Sequence, residues 1–232
     1  CASLYTGHPF SALPAAWDKR AQRRRLGLPE EGTLLAIFPG SRPQEIVNLT
    51  RCFLDACRLI KPGRGKLNFV LSLAHGEYRD AVVTEIARSG LTVPVLERES
   101  DGILQASDLL VTASGTTTLQ AAFFHVPMAI AYRVSLVTEC VARGVLKVQH
   151  IGLPNILAGR TVCPEFINRA LSSKKLAAWL GAMADDPAAR RALAAELAAL
   201  RESLSTPDPY GKMVDGIETV LAGNAASFRS RA

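Results

Sequence analysis

A short polar turn between two structured segments offers the clearest site for chemistry in this sequence. Ser114, Gly115 and Thr116 follow the apolar run from Leu109 to Ala113 and precede a helical pattern. The first N–H groups of a helix have no intrahelical partner, and glycine lets a ligand approach the backbone, so such a turn can bind a phosphate. The two hydroxyl groups add donors. The simpler alternative is that a Ser or Thr here only caps the helix.

A second candidate anion loop, PGSR, follows the apolar run from Leu34 to Phe38. Its Arg42 carries a planar guanidinium group that suits phosphate oxygens. Ligands of parallel sheets bind beyond the carboxyl ends of the strands, and both loops lie at such ends, which favours a phosphate site. The alternative for Arg42 is an exposed ion pair with Glu45, which would contribute little.

Strand-like and helix-like patterns alternate along the chain, and this alternation predicts how the two loops are positioned. Further apolar runs predict strands at Leu67–Leu73, Thr92–Leu96 and Met128–Tyr132. Helical patterns fill the intervals, and from Pro164 the chain is helical and alanine-rich. The alternation indicates an α/β fold, a doubly wound, Rossmann-like parallel sheet with right-handed crossovers. Asp185-Asp186 before Pro187 indicates a helix start rather than a metal pair.

Composition limits the class of protein and the class of partner. The 232 residues are 48% hydrophobic, enough for a core without disulfide or metal support, and the net charge is +6. A basic chain favours an anionic partner, namely a phosphorylated substrate, a membrane surface or nucleic acid. Without aromatic interleaving or a recognisable nucleic-acid fold, we expect no nucleic-acid partner. We interpret the basic cluster as a solvated face; it contains Arg20, Arg23, Arg24 and Arg25.

The cysteines and several missing motifs narrow the chemistry further. Five cysteines without a C-x-x-C pair indicate free thiols in a reducing compartment, and Cys52 and Cys57 fit packing positions of one helix. There is no P-loop, no G-x-G-x-x-G fingerprint and no zinc-ligand spacing, so we expect no metal and no cofactor. No apolar run is long enough to span a bilayer.

Four segments, in this order and spacing, resemble lipid-A-disaccharide synthase, a two-domain glycosyltransferase of the GT-B type. They are YTGHP (5–9), FPGSRPQEI (38–46), ASDLLVTASGTTTLQAAFFHVPMAIAYRVS (106–135) and KVQHIGLPNILAGRTVCPEFIN (147–168). GSR or SGT alone would be a weak signal, whereas LPNILAGR in this context is specific. The resemblance covers nearly the whole chain up to the last helix and implies the C-terminal domain of such an enzyme.

The resemblance implies a reaction and a division of labour between two domains. Its substrates would be UDP-2,3-diacylglucosamine as donor and 2,3-diacylglucosamine 1-phosphate as acceptor, and its products a β-1,6-linked lipid A disaccharide and UDP. Residues 1–29 would be a linker and first helix that follow a missing N-terminal acceptor domain. Residues 30–205 would be the UDP-sugar-binding domain, and 206–232 a C-terminal helix and tail. The family's proposed catalytic base would lie in the acceptor domain, so its identity is unknown here.

The resemblance also implies a set of donor-binding residues: Ser41, Arg42, Glu45, Ser114, Gly115, Thr116, Gln120 and Asn155. The family usually has Glu at the position of Gln120, where a carboxylate can accept both hydroxyls of a ribose. Glutamine keeps one acceptor oxygen and no charge, so we expect Gln120→Glu to tighten UDP binding if this side chain lies against the ribose. Asn155 suits a uracil edge or a sugar hydroxyl, or else it satisfies the turn after Pro154.

Two other functions stay open on the sequence alone. One is a MurG-like GT-B transferase that uses UDP-GlcNAc, and the other is a non-catalytic nucleotide-sugar-binding module, which Gln120 and the missing half would fit.

The lipid substrates imply a cytoplasmic protein attached peripherally to the inner membrane of a Gram-negative bacterium, with an anionic membrane surface as partner. Residues 134–151 combine apolar side chains with Arg143 and Lys147. Packing at the domain interface explains these residues better than membrane contact does. Co-flotation with anionic vesicles would distinguish the two.

Overall fold

The computed structural model of the chain describes residues 5–61, 63, 65–133 and 150–222. Its strands are β1 (Thr33–Phe38), β2 (Leu67–Leu73), β3 (Val95–Glu97), β4 (Leu109–Ala113), β5 (Met128–Tyr132) and β6 (Glu165–Ile167). They form one parallel sheet in the order β3-β2-β1-β4-β5-β6. The predicted α/β class and parallel sheet are confirmed. The third strand is shorter than predicted and begins after Pro94, which has no N–H to donate to a ladder.

Helices cover both faces of this sheet. They are α1 (Lys19–Arg25), α2 (Pro43–Leu59), α3 (Arg79–Ser89), α4 (Ser100–Ala106), α5 (Thr116–Phe123), α6 (Leu153–Ala158), α7 (Ser173–Asp185), α8 (Pro187–Leu204) and α9 (Pro209–Leu221). The helix start predicted at Pro187 is confirmed, because the Asp186 side chain accepts hydrogen bonds of 2.9 Å from the N–H groups of Ala188 and Ala189. None of the described helices is both long and apolar enough to cross a bilayer.

The central strands are buried on both faces, which explains their continuous apolar runs. Leu35 and Ile37 of β1 pack into a cluster with side chains of α2, α3 and α7. Leu34 and Ala36, which alternate with them, pack into a second cluster with α4, α5 and α8. Successive side chains of a strand point to opposite faces of the sheet. Each central strand therefore contributes side chains to two cores, one on each side of the sheet.

The strand order reverses direction between β1 and β4, and this reversal positions the candidate site. The chain runs outward from β1 through β2 to β3, then returns to place β4 on the other side of β1. Phe38 at the end of β1 pairs in register with Thr112 near the end of β4. The loops after these two strands are therefore neighbours, at the crevice where doubly wound sheets bind their ligands.

The basic cluster of α1 is not a uniformly solvated face, and the interpretation of Arg23 is wrong. Arg23 is buried, and its guanidinium group donates to the carbonyls of Glu30, Gly32 and Ala106 at 2.9–3.0 Å and to the carboxylate of Asp108. These bonds anchor α1 to the sheet beside β1 and β4. Its neighbours on the helix pair with exposed carboxylates instead: Arg20 with Glu31, Arg24 with Glu30, and Arg25 with Glu99.

Asp108 is the carboxylate that pairs with Arg23. Burial alone would raise the pKa of its carboxyl group, but the charge and hydrogen bond of Lys19, the Leu34 N–H and the charge of Arg23 outweigh burial and lower the pKa. The carboxylate is thus ionised at neutral pH and stabilises the cations around it.

The described cysteines are packing residues. Cys52, Cys57 and Cys163 are buried free thiols, as predicted for Cys52 and Cys57. Burial raises the pKa of the Cys57 and Cys163 thiols to about 12. Both therefore stay protonated and inert as nucleophiles at neutral pH.

Candidate functional site: a cleft between the ends of β1 and β4

A cleft of about 190 Å³ opens at the carboxyl ends of β1 and β4. The PGSR loop and the first turn of α2 form one wall, with Gly40, Ser41, Arg42 and Glu45. The opposite wall is the end of β4 and the start of α5, from Ser114 to Thr117. The structure thus brings together six of the eight residues that the sequence proposed as ligand contacts. The other two, Gln120 and Asn155, do not line this cleft.

The N-terminus of α5 presents unpaired backbone donors to the cleft. Gly115 is its N-cap residue, and the Gly115 carbonyl accepts from the N–H and the hydroxyl of Thr118, at 3.0 and 2.7 Å. Within the described part of the chain, the N–H groups of Gly115, Thr116 and Thr117 have no acceptor. A methyl group added at Gly115 would meet no atom within 4 Å. These donors and the positive end of the helix dipole can receive an anion there.

Ser114 lies in the same wall but already uses its hydroxyl. The Oγ atom donates to the Ile151 carbonyl at 2.9 Å, and the Ser114 N–H donates to the Ala131 carbonyl at 3.0 Å. The first bond ties the turn to the segment that precedes α6. Ser114 therefore keeps only acceptor capacity at its hydroxyl in this structure, and the donors predicted for this turn are chiefly backbone groups.

The N-terminus of α2 is arranged differently, because the side chain of Glu45, in the first turn of this helix, already binds the free backbone N–H groups there. The Glu45 carboxylate accepts from the N–H groups of Ser41 and Arg42 at 3.2 and 3.3 Å and from the Arg42 side chain at 3.4 Å. Gly40 has φ +108°, and a Cβ there would lie 2.3 Å from a Glu45 oxygen, so this turn requires glycine. With those N–H groups occupied, an added anion is better received at α5.

Arg42 is an exposed cation on this wall. Its side chain is 76% exposed, whereas that of Glu45 is 15% exposed. The predicted ion pair between them exists, but an exposed pair at 3.4 Å contributes little. The guanidinium group can therefore turn toward an anion in the cleft at small cost.

Asn155 has a structural role in place of the predicted ligand contact. Its side chain is fully buried, its Nδ2 donates to the Cys163 carbonyl and to Glu165, both at 2.7 Å, and its Oδ1 accepts from the N–H groups of Val162 and Cys163. The amide has two donors and two acceptor positions, so nothing is left for a uracil or a sugar. This corrects the sequence-based assignment in favour of its alternative, a turn held by the asparagine side chain.

Glu165 holds the segment before α6 in place, a role that the sequence did not predict. It accepts from the N–H groups of Ile151 and Gly152, at 3.0 and 2.9 Å, as well as from Asn155. It thereby fixes the Ile151 carbonyl that receives the Ser114 hydroxyl. No local pattern reveals it, because its partners lie 10 to 14 residues away.

Gln120 lies one helical turn after Thr116 on α5, and its amide nitrogen donates to the carboxylate of Asp101 on α4. Asp101 follows Ser100, which lines the cleft. The sequence motif contains Gln120 but not Asp101, because the two residues are 19 positions apart along the chain.

No group of three or more His, Cys, Asp or Glu side chains in the described ranges is placed to hold a metal ion. The segment predicted for membrane or interface packing, 134–151, lies outside the described residues except at its last two positions.

Solved structures with the same arrangement of elements define the class of the fold. Anabaena Alr3699/HepE in complex with UDP and glucose matches with a TM-score of 0.59 at 17% identity, over 92% of this chain and 55% of that chain. The C-terminal domain of the glycosyl transferase group 1 family protein (LpcC) from Francisella tularensis matches with a TM-score of 0.58 at 14% identity, over 85% of this chain and 97% of that chain. The fold is that of a GT-B glycosyltransferase domain.

Sequence comparison gives the particular family. The model of the lipid-A-disaccharide synthetase family matches residues 2–193, and the chain belongs to that family. The lipid-A-disaccharide synthase of Pseudomonas aeruginosa (strain LESB58) is 39% identical over 184 residues, 78% of this chain and 49% of the relative. That of Anaeromyxobacter dehalogenans (strain 2CP-C) is 35% identical over 204 residues, 88% of this chain and 53% of the relative. The chain thus spans about half the length of these relatives.

Proposed function

We propose that this chain is the donor-binding half of a lipid-A-disaccharide synthase. The whole enzyme would transfer 2,3-diacylglucosamine from its UDP donor to 2,3-diacylglucosamine 1-phosphate and release UDP. The observation that carries the proposal is the cleft between β1 and β4, where the unpaired N–H groups of α5 face Arg42 across the opening, in a chain of this family. Calorimetry with UDP is the direct test.

The chemical task of this half is to bind the diphosphate and stabilise it as it leaves. Breaking the bond to the anomeric carbon moves negative charge onto the diphosphate, and fixed donors aimed at that charge lower the barrier. Gly115, Thr116 and Thr117 would provide such donors from the backbone. Arg42 would leave Glu45 and add a cation from the opposite wall, where its fork can bind two phosphate oxygens.

The acceptor hydroxyl must lose a proton as it attacks, and we assign that step to the half that this chain does not include. Peripheral attachment to the cytoplasmic face of the inner membrane is also a proposal, supported by the lipid nature of both substrates and tested by vesicle flotation. Between the open alternatives, the relatives at 35–39% identity favour a lipid-A-disaccharide synthase over a MurG-like enzyme.

Gly115→Ala should weaken UDP binding by about tenfold or more without unfolding the domain. The new methyl group meets no protein atom within 4 Å, and φ 163° is extended backbone open to any residue, so the fold tolerates it. The methyl group would instead occupy space where phosphate oxygens approach the N–H groups. Calorimetry and a thermal melt measure the two effects.

Gly181→Ala in α7 is the matched control for this change. A Cβ there makes only an ordinary contact of 3.4 Å with Ile60, far from the cleft. UDP affinity should be unchanged in the control. If Gly115→Ala, Gly181→Ala and the parent chain bind UDP with equal affinity, the N-terminus of α5 is not part of the binding site.

Arg42→Ala should weaken UDP binding by about tenfold, the size expected for one charge-assisted hydrogen bond. Stability should hardly change, because the side chain is exposed and its pairing with Glu45 is weak. Arg51→Ala is the control, since Arg51 lies on the same helix, is similarly exposed and, among the residues that the structure describes, pairs only with Asp55. If calorimetry gives the same UDP affinity for Arg42→Ala and Arg51→Ala, Arg42 does not bind the diphosphate.

A further inference from the structure

A single peptide unit joins Glu165 to the turn that precedes α5. The N–H of this unit belongs to Gly152 and donates to the Glu165 carboxylate at 2.9 Å. The carbonyl of the same unit belongs to Ile151 and accepts from the Ser114 hydroxyl at 2.9 Å. A chain of hydrogen bonds thus runs from β6, the last strand in the sheet order, to the residue directly before the free N–H groups of α5.

The negative charge of Glu165 strengthens this chain, because each hydrogen bond polarises the next one. A carboxylate that accepts from a peptide N–H increases the negative charge on the carbonyl oxygen of that peptide, and a hydrogen bond to a charged group is about twice as strong as a neutral one. The Ile151 N–H donates to the same carboxylate at 3.0 Å. Ile151 is therefore fixed on both sides and offers Ser114 a strong, stationary acceptor.

Glu165 is itself held by the fold. The fully buried Asn155 donates to its carboxylate at 2.7 Å. A Cβ at Gly152 would lie 2.4 Å from Ile130 and 3.2 Å from a Glu165 oxygen, so backbone and carboxylate pack closely here. The LPNILAGR segment, which contains Asn155, thus reaches the SGT turn through Glu165 although Asn155 does not line the cleft.

We infer that Glu165 is a positioning residue of the donor site, which fixes the N-terminus of α5 through Ile151 and Ser114. The inference rests on the proposed function and deepens it, because it names what holds the diphosphate donors in place. Donors that are already fixed bind a ligand without a further cost of ordering, whereas a loosened turn must be ordered as the ligand binds. Loss of the carboxylate therefore weakens binding, although Glu165 does not touch the ligand.

The test is calorimetry with UDP on the parent chain, Glu165→Gln, Ser114→Ala and the double variant. Glutamine has the same size as glutamate but lacks the charge and turns an amide group toward the two N–H donors. Each single change should weaken UDP binding by about tenfold, the size expected when a fixed group is loosened. The double variant should bind no more weakly than the weaker single variant, because both changes break the same chain of hydrogen bonds.

Glu196→Gln is the matched control, since Glu196 is an exposed glutamate of α8 that pairs with Arg160 at 2.8 Å, just after α6. Its UDP affinity should equal that of the parent. Thermal melts show which variants are folded. Glu165→Asp keeps the charge on a side chain one methylene shorter and takes the place of Glu165→Gln in the comparison with Ser114→Ala if the glutamine variant does not fold.

The outcomes separate this inference from the proposed function. If folded Glu165→Gln melts at a lower temperature but binds UDP as tightly as the parent, Glu165 supports only the fold and the inference is wrong. Losses of the two single variants that multiply in the double variant would also overturn it, because Glu165 would then act independently of Ser114. The diphosphate site would stand in both cases, whereas failure of the parent to bind UDP would overturn the proposed function itself.

Discussion

The isolated chain should bind UDP but form no lipid A disaccharide from the diacyl UDP-sugar and the monosaccharide phosphate. GT-B chemistry takes place between two domains, and this chain spans about half the length of its relatives. Holding the acceptor hydroxyl against the donor carbon can lower a barrier by about 7–11 kcal/mol, and a single domain forfeits that contribution. A barrier higher by about 11 kcal/mol slows the reaction by roughly 10⁸, so turnover by the isolated chain should be undetectable.

Product formation is measured with and without the preceding half of a full-length relative, expressed separately. Some transfer should return if the two halves associate. An Arg42→Ala chain mixed with the same half is the control, because it should associate normally yet transfer more slowly. Appreciable turnover by the isolated chain would mean that a catalytic base lies within these 232 residues and that the division into halves is wrong.

Replacing Arg23 with Met should destabilise the domain by about 3–5 kcal/mol, the usual cost of removing one partner of a buried ion pair. The side chain is 4% exposed, and its loss leaves the carbonyls of Glu30, Gly32 and Ala106 without their donor. Asp108 would keep Lys19 and the Leu34 N–H but lose its most buried cation. Chemical denaturation measures the free energy of unfolding.

The next residue on the same helix provides a matched control. Arg24 is 56% exposed and pairs with an exposed Glu30, so Arg24→Met should change the free energy of unfolding by less than about 1 kcal/mol. UDP affinity should survive in both variants under conditions where each is folded, because neither side chain lines the cleft. Equal free energies of unfolding for the two variants would show that the buried hydrogen bonds and ion pair of Arg23 contribute little to stability.

The sequence by itself determined the class of fold and predicted where the candidate site lies. Continuous apolar runs such as Leu34–Phe38 predict strands buried on both faces, and the helical periods between them predict the crossovers. These are local patterns, set by the geometry of each element. Since ligands bind at the carboxyl ends of parallel strands, the PGSR and SGT loops could be proposed together. The motifs in these loops then carried the family resemblance, which the family match confirms.

Only the tertiary structure decided which polar side chains are free to bind a ligand. Asn155 and Arg42 both suit a ligand by residue type, but one is saturated by internal hydrogen bonds and the other is exposed. Arg23 and Arg24 are adjacent and chemically identical, yet one anchors a helix while its neighbour faces solvent.

The same holds for Gln120, whose partner Asp101 lies on a neighbouring helix, 19 residues away along the chain. Each of these outcomes depends on partners far along the chain. A hydrogen bond or a burial depends on which atoms meet in space, and a pattern within one segment carries no information about atoms brought to it by the rest of the fold.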